Sequence, residues 1–177
     1  MNTLKPKLKK KIKNKVYLGL GTNVGNKKNN LKKTVAKFYE NNKFTNIKIS
    51  SVYETKPYGE IEQENFFNAV VFLETDYALN ELFDYTKNLE KEIGRKKRKI
   101  WGPREIDIDI LLYNDLVYKD EKITIPHTDL LNRDFVLVPL LEINKTIIHP
   151  KEKKEIKQFL SELTDQYIVK KIQMVFN

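Results

Sequence analysis

The chain has 177 residues, 40% of them hydrophobic, and it contains no cysteine and only two histidines. This composition suits one folded domain and excludes a disulfide framework, a thiolate or histidine-rich metal site and a cysteine nucleophile. The net charge is +9, and the seven lysines of residues 1–15, which include no acidic residue, account for most of it.

That N-terminal stretch is the first element along the chain. We predict a basic disordered arm over residues 1–15 and a single domain over residues 16–177. No apolar stretch follows the lysines that could serve as a secretory signal, and no run is long enough to span a membrane. We therefore expect a cytoplasmic protein that makes no membrane contact.

Hydrophobic periodicity predicts alternating strands and helices in the first half of the domain. We expect a strand at Val16–Leu20, a helix whose buried stripe includes Leu31, Val35 and Phe38, a strand at Ile47–Tyr53, a loop over 56–65 and a strand at Phe66–Leu73. Asn41 and Asn42 should end the helix, and Pro57 and Gly59 mark the loop.

The second half continues in the same way. We expect a helix from about Tyr77, with Thr75 or Asp76 as its N-cap and Gly94 at its end, followed by a basic loop at Lys96–Trp101. A strand should follow at Ile106–Tyr113, then mostly loop over Asp120–Arg133 and an apolar run at Phe135–Leu141. The chain should end with a helix carrying Ile156, Phe159, Leu160 and Leu163 and a strand at Tyr167–Phe176. Strands that follow one another directly favour an α+β domain with a largely antiparallel sheet.

The most informative motif is the aspartate pair at Asp107 and Asp109. Alternation along a strand turns Ile106, Ile108, Ile110 and Leu112 to the core and both aspartates to the opposite face, with Cα atoms about 6.5–7 Å apart. Two like charges on one strand face repel, and a divalent cation such as Mg²⁺ would offset that cost. An ordinary solvated strand face is the alternative for such a common pattern.

The chain uses 29 lysines but only four arginines, and all four lie between positions 95 and 133. Because arginine grips phosphate and carboxylate with a planar fork, the cluster of Arg95, Arg98, Arg104 and Arg133 indicates a polyanion site. His127, six residues before Arg133 in a polar loop, is a candidate phosphate contact, or simply an exposed histidine. Neither a P-loop nor a complete dinucleotide-binding glycine motif is present.

Phe66 and Asn68 share one face of their strand. An aromatic ring beside an amide can stack on and read a flat heterocycle, although a core phenylalanine beside an edge asparagine would have the same pattern.

Taken together, these segments resemble the 6-hydroxymethyl-7,8-dihydropterin pyrophosphokinase family of folate biosynthesis. The resemblance covers about residues 16–145. It rests on Tyr17-Leu-Gly-Leu-Gly-Thr-Asn23, Ser51-Val-Tyr-Glu-Thr55 with Pro57 and Gly59, Asn65-Phe-Phe-Asn68-Ala69, Glu90 with Gly94-Arg95, Trp101-Gly-Pro-Arg104 with Asp107-Ile-Asp109, and Pro126-His127 with Arg133 and Phe135. It implies a ferredoxin-like fold and transfer of pyrophosphate from ATP to the pterin, with release of AMP.

The resemblance also implies roles for individual residues. Asp107 and Asp109 match ligands of two Mg²⁺ ions, and Arg95 and Arg104 join them as catalytic residues. Positions matching the ATP site are Glu90, Arg98, Ile110, Thr124, His127 and Arg133. Positions matching the pterin site are Thr55, Tyr58, Phe66, Asn68 and Phe135. ATP and the pterin are the expected partners of a monomer that binds no nucleic acid.

Three departures from the family pattern bear on these roles. Phe66 stands where tyrosine is common, Lys122 where arginine is common, and the loop after Gly94 is one residue short, so that Lys97 and Arg98 compete for one phosphate contact. Two other functions are alternatives to this enzyme activity. One is a nucleotidyltransferase, which also holds metals on paired aspartates, and the other is a nucleic-acid-binding module that uses the basic arm.

Overall fold

The structure is a computed structural model that describes residues 13–59, 62–98 and 102–176. Within these ranges the helices and strands are β1 Asn14–Thr22, α1 Lys27–Glu40, β2 Phe44–Ile49, β3 Val52–Thr55, β4 Phe66–Thr75, α2 Leu79–Ile93, β5 Asp107–Tyr113, β6 Tyr118–Lys119, β7 Thr124–Ile125, α3 Asp134–Ile143, α4 Ile156–Glu162 and β8 Ile168–Ile172, with a 3₁₀ turn at Leu130–Asn132. None of the helices in the described ranges is long and apolar enough to cross a bilayer.

The main sheet has the strand order β5-β1-β4-β3-β8, and β2 pairs with β4 beside β3. Each pairing between its described strands is antiparallel. The element order βαβ-βαβ with β1 and β4 at the centre is the split arrangement of a ferredoxin-like sheet. The predicted α+β class with a largely antiparallel sheet flanked by helices is confirmed.

Helices cover both faces of this sheet, which divides the core in two. On one face, α1 and α2 pack Leu31, Phe38 and Leu82 against Leu18 of β1 and other strand residues. On the other face, α3 and α4 form a second cluster around Leu137 and Ile156. The apolar run at Phe135–Leu141, which the sequence left without a secondary-structure assignment, lies in α3 and supplies four buried residues of that second core.

The predicted strand Ile47–Tyr53 is wrong as a single element. From Ile49 to Tyr53 the chain advances four residues while its partner β4 advances three, from Val71 to Asn68. The extra residue is a β-bulge that divides the segment into β2 and β3. Ser50 fixes the break, because its backbone N–H donates to the Val70 carbonyl and its hydroxyl accepts from the Val70 N–H at 2.9 Å.

A second bulge alters the predicted faces of β5. Tyr17 pairs with Leu112 and Leu18 pairs with Ile110, so Leu111 is the extra residue. Ile106, Ile108 and Ile110 face the α1–α2 core as predicted, but Leu112 turns with Leu111 to the α3–α4 core. The expectation for Leu112 is wrong because the bulge interrupts the alternation of side chains.

Several boundaries also differ from the predictions. The N-cap of α2 is Ala78, where Glu81 accepts a hydrogen bond from the cap N–H at 2.8 Å, and neither Thr75 nor Asp76 takes that role. Gly94 ends α2 with φ 116°, as expected of a C-terminal glycine. The first strand begins at Asn14, within the predicted arm, whereas residues 1–12 of that arm lie outside the described ranges.

Candidate active site

The two aspartates of β5 lie beside glycines of the neighbouring strand. Asp107 pairs with Gly21 and Asp109 pairs with Gly19 on β1, while Gly21 pairs on its other side with Asn68 of β4. A Cβ atom at Gly21 would lie 2.9 Å from the Asn68 side-chain oxygen. The glycines therefore form a low floor between the aspartate pair and Asn68, a role that the sequence analysis missed because it considered them only as a nucleotide motif.

A cleft above this floor brings together the residues predicted for the pterin site. It is lined by Thr55, Tyr58, Phe66, Asn68 and Phe135, and also by Asp107, Asp109, Arg104 and Arg133. Asn68 is almost buried, and its amide donates to the Thr55 hydroxyl at 2.7 Å. This bond fixes the orientation of the amide of Asn68, which lines the cleft. The expectation that Phe66 and Asn68 share a face is confirmed.

A second cleft adjoins the first and carries the basic residues. It is lined by Lys87, Arg95, Lys96, Lys97, Arg98, Arg104, His127 and Arg133, and it shares Asp107 and Asp109 with the first cleft. A third, smaller region continues from Asp109 and His127 to Ile110, Thr124, Phe83 and Lys122. The predicted ATP-site residues thus lie along a continuous path, except Glu90, which is buried beneath it.

Glu90 organises the ion pairs under the second cleft. Its carboxylate accepts from the Ile108 N–H and from Lys87 Nζ at 2.8 and 2.7 Å, and it pairs with the Arg95 guanidinium. Arg95 also donates to Asp107 at 2.5 Å. Glu90 and Asp107 therefore hold Arg95 between them. Lys87 is a second residue that the sequence analysis missed, although its i, i+3 spacing to Glu90 was a usable signal.

The environments of these carboxyl groups move their pKa values in different directions. Burial raises the pKa of Glu90 above its usual range. Burial would also raise the pKa of Asp107, but the charges of Arg104 and Arg95 outweigh it and hold that pKa below its usual range. Burial and the neighbouring Asp107 charge raise the pKa of Asp109. Asp107 therefore carries the more stable negative charge of the pair.

The other arginines are paired as well. Arg98 forms a two-bond contact with Glu105, at 2.6 and 2.8 Å, which lowers the Glu105 pKa to about 2. Arg133 pairs with Asp129 at 2.8 Å and lies 4.5 Å from the centre of the Tyr58 ring. Both arginines line the second cleft, so each can contact a ligand bound there.

His127 is held beside Asp109 by the bulge in β5. Its backbone N–H donates to the carbonyl of Leu111, the extra residue, at 3.0 Å. Its Nδ1 accepts from the Asp129 N–H, so the ring proton is placed on Nε2, which lies 3.7 Å from an Asp109 carboxylate oxygen. The histidine therefore presents an N–H to the point where the clefts meet.

The donor set suits a hard divalent cation that arrives with a ligand. Asp107 and Asp109 open into both main clefts, and the described residues form no group of three or more metal-binding side chains that could enclose an ion. Mg²⁺ commonly binds one or two carboxylates and takes its remaining ligands from water and substrate phosphates. The aspartate pair therefore fits magnesium together with a polyphosphate.

The basic loop after Gly94 is described only as far as Arg98. Lys97 and Arg98 both line the second cleft, and the side chain of Arg98 forms an ion pair with Glu105. Trp101 lies outside the described residues.

Comparison with known proteins gives consistent matches. Residues 17–145 match the model of the 7,8-dihydro-6-hydroxymethylpterin-pyrophosphokinase family. A 2-amino-4-hydroxy-6-hydroxymethyldihydropteridine pyrophosphokinase of Aquifex aeolicus is 48% identical over 150 residues, covering 84% of this chain and 92% of the relative. The Bacillus subtilis protein of the same name is 39% identical over 132 residues, covering 75% and 79%.

The fold also matches a solved structure of a larger protein. The Plasmodium falciparum HPPK-DHPS structure aligns with a TM-score of 0.64 at 18% identity, covering 84% of this chain. This chain spans 43% of that protein's length, so the likeness concerns the fold of one part of it.

Proposed function

The chain belongs to the 7,8-dihydro-6-hydroxymethylpterin-pyrophosphokinase family, and from that membership we propose how its cleft performs the reaction. It is a transferase of folate biosynthesis that moves pyrophosphate from ATP to the hydroxymethyl group of the pterin. We call the first cleft, which contains Phe66 and Phe135, the aromatic cleft, and the second cleft, which contains Arg95 and Arg98, the arginine-lined cleft. Our assignment of roles depends on one observation, which is that Asp107 and Asp109 line both clefts.

The aromatic cleft takes the pterin. Phe66 and Phe135 offer ring faces to the flat heterocycle, and Tyr58 adds a third aromatic wall. Asn68, whose amide is oriented by Thr55, reads the polar edge of the ring through one donor and one acceptor. Binding there directs the hydroxymethyl group towards the aspartate pair at the junction of the clefts.

The arginine-lined cleft takes the triphosphate. Arg95, Arg98, Arg104 and Arg133 surround it, and His127 supplies an N–H donor. Ile110 and Thr124 line the region beyond His127, which takes the nucleoside. Glu90 acts from below by holding Arg95 in place through a buried ion pair.

Transfer follows from the meeting of the two ligands. The hydroxymethyl oxygen attacks the β-phosphorus, the bond from that phosphorus to the oxygen shared with the α-phosphate breaks, and this oxygen leaves on AMP while the hydroxyl proton passes to water. Asp107 and Asp109 would hold two Mg²⁺ ions, which would neutralise the charge of the triphosphate. Arg95 and Arg104 stabilise the charge that develops on the leaving group, so the protein acts mainly by positioning and electrostatics.

The products test this proposal. The protein is incubated with ATP, Mg²⁺ and 6-hydroxymethyl-7,8-dihydropterin, and the nucleotides are separated by chromatography. We expect AMP and the pterin diphosphate in equal amounts and none without the pterin. Formation of ADP, or AMP formation that is indifferent to the pterin, would contradict the proposed transfer.

A further inference from the structure

The C-terminal segment packs against the wall of the aromatic cleft at Tyr167, the residue before β8. The Tyr167 carbonyl accepts from the Lys56 N–H at 2.8 Å, and its own N–H donates to the Asp134 carboxylate at 2.9 Å. Lys56 adjoins Thr55 and Asp134 adjoins Phe135, which both line the cleft. The backbone of Tyr167 therefore ties together two separate parts of the cleft wall.

Asp134 strengthens this connection. It is buried, and it accepts hydrogen bonds from three backbone N–H groups, those of Phe135, Tyr167 and Ile168, at 2.7, 2.9 and 3.0 Å. A buried carboxylate with several donors is costly to rearrange, because each donor would lose its partner. The first turn of α3 and the start of β8 are thus held at a fixed separation.

The ring of Tyr167 packs behind the same wall. Its centre lies 5.3 Å from that of Tyr58 and 5.9 Å from that of Phe135, and Tyr58 and Phe135 are 6.2 Å apart. The angles between the rings, 55°, 85° and 69°, are those of tilted and edge-to-face contacts. Tyr58 and Phe135 line the cleft, whereas Tyr167 is not among the lining residues.

We propose that Tyr167 is a positioning residue for the pterin, which sets the spacing and tilt of Tyr58 and Phe135 from behind. The residue lies beyond the stretch 17–145 that matches the family model, so a segment outside that match completes the pterin-binding wall. The inference rests on the proposed function in taking the pterin as the occupant of the aromatic cleft. It predicts that loss of the Tyr167 ring affects the pterin and spares the nucleotide.

The test compares Tyr167→Ala and Tyr167→Phe with the wild-type protein. Calorimetry with Mg²⁺ and a non-hydrolysable ATP analogue present gives the pterin Kd, and the nucleotide Kd is measured separately. We expect Tyr167→Ala to raise the pterin Kd and the pterin KM about tenfold, with the nucleotide Kd unchanged within about twofold. Tyr167→Phe should remain close to wild type because it keeps the ring.

Ile172→Ala is the matched control. Ile172 is the last residue of β8, pairs with Val52 and packs against the α1–α2 core, away from the aromatic cleft. It should lower the thermal stability without changing the pterin Kd. If Tyr167→Ala unfolds, Tyr167→Leu retains apolar bulk and should still show the selective pterin defect.

Three results would overturn the inference: a wild-type pterin Kd in the ring-deleted variant, equal losses for pterin and nucleotide, or the same pterin defect in Ile172→Ala. Failure of the proposed function would look different, since the wild-type protein itself would then form no AMP or bind no pterin.

Discussion

Replacement of Gly21 by alanine tests the floor of the site with a single methyl group. The new Cβ would lie 2.9 Å from the side-chain oxygen of Asn68, a separation that real Cβ contacts essentially never reach. Asn68 would have to turn away, which would break its 2.7 Å bond to the Thr55 hydroxyl. The amide would then no longer be oriented towards the pterin edge.

The expected magnitude follows from these contacts. One lost hydrogen bond costs about 0.5–1.5 kcal/mol, and an off-rotamer side chain costs a similar amount. Together they amount to about 1–3 kcal/mol, or roughly a 5- to 150-fold weaker pterin affinity. Nucleotide affinity should stay within about threefold, since the arginines and His127 are not displaced.

Gly19→Ala is the control for this experiment. Its Cβ would meet the Leu111 side chain at 3.3 Å, and that apolar chain end can give by a few tenths of an ångström without losing a hydrogen bond. Calorimetric titration of both variants with pterin, in the presence of Mg²⁺ and an ATP analogue, compares them directly. If Gly21→Ala bound pterin as tightly as the wild type, or no more weakly than Gly19→Ala, the floor would not control Asn68.

Three further substitutions follow from the site. Asp109→Ala should lower kcat by a factor of about 10²–10³ in the AMP assay, because a proposed metal ligand is lost. The fold should be retained in circular dichroism, because one of two repelling carboxylates is removed. Activity within a few-fold of wild type would reject the role of Asp109 in metal binding. Phe135→Ala should weaken pterin binding in calorimetry and leave ATP binding nearly unchanged, since only a stacking face is lost, and equal losses for both ligands would point to a structural role. Glu105→Gln tests how the ion pair of Glu105 with Arg98 contributes to the free energy of unfolding. The pKa of Glu105 in the folded protein, about 2, lies below its ordinary value. The ion pair therefore stabilises the fold above pH ~4.5, and this contribution is lost as the pH falls towards 2. Urea unfolding should therefore separate Glu105→Gln from wild type at pH 7 and bring them together near pH 2, and a constant difference across that range would refute the assignment.

Much of the fold could be predicted from short-range patterns in the sequence. The amphipathic stripe of α1 and the glycine at the end of α2 are short-range signals, and both of these features are confirmed. The two bulges are different, because an extra residue in a strand is defined only by the partner strand. The interruption at Ser50 depends on Val70 of β4, and the turn of Leu112 depends on Tyr17 of β1, so neither could be predicted from its own segment.

The same distinction holds for the site. Asp107 and Asp109 could be found because strand alternation places them on one face, and Phe66 and Asn68 for the same reason. The connections between segments could not: Tyr167 is more than a hundred residues from Tyr58 in sequence, and only the packed fold brings their rings together. Residues that act through another side chain leave little trace in a sequence read one segment at a time.

The ion pairs of the four arginines have a consequence for how the ligands enter. Arg95 and Arg104 are paired with Asp107, Arg98 with Glu105 and Arg133 with Asp129. A phosphate that takes any of these arginines therefore replaces a carboxylate, and the gain is the difference between two charge-assisted contacts.

This exchange of partners would favour binding of the metal cation and the triphosphate together. A lone cation at Asp107 would have to displace two guanidinium groups, and a lone polyanion would leave the carboxylates unpaired. If a metal ion and a triphosphate entered together, the cation would bind Asp107 and the phosphates would bind Arg95 and Arg104, so that these three side chains would each keep a partner of opposite charge. With the roles proposed above, the salt bridges of the free protein would therefore favour binding of the metal–nucleotide complex over binding of either component alone.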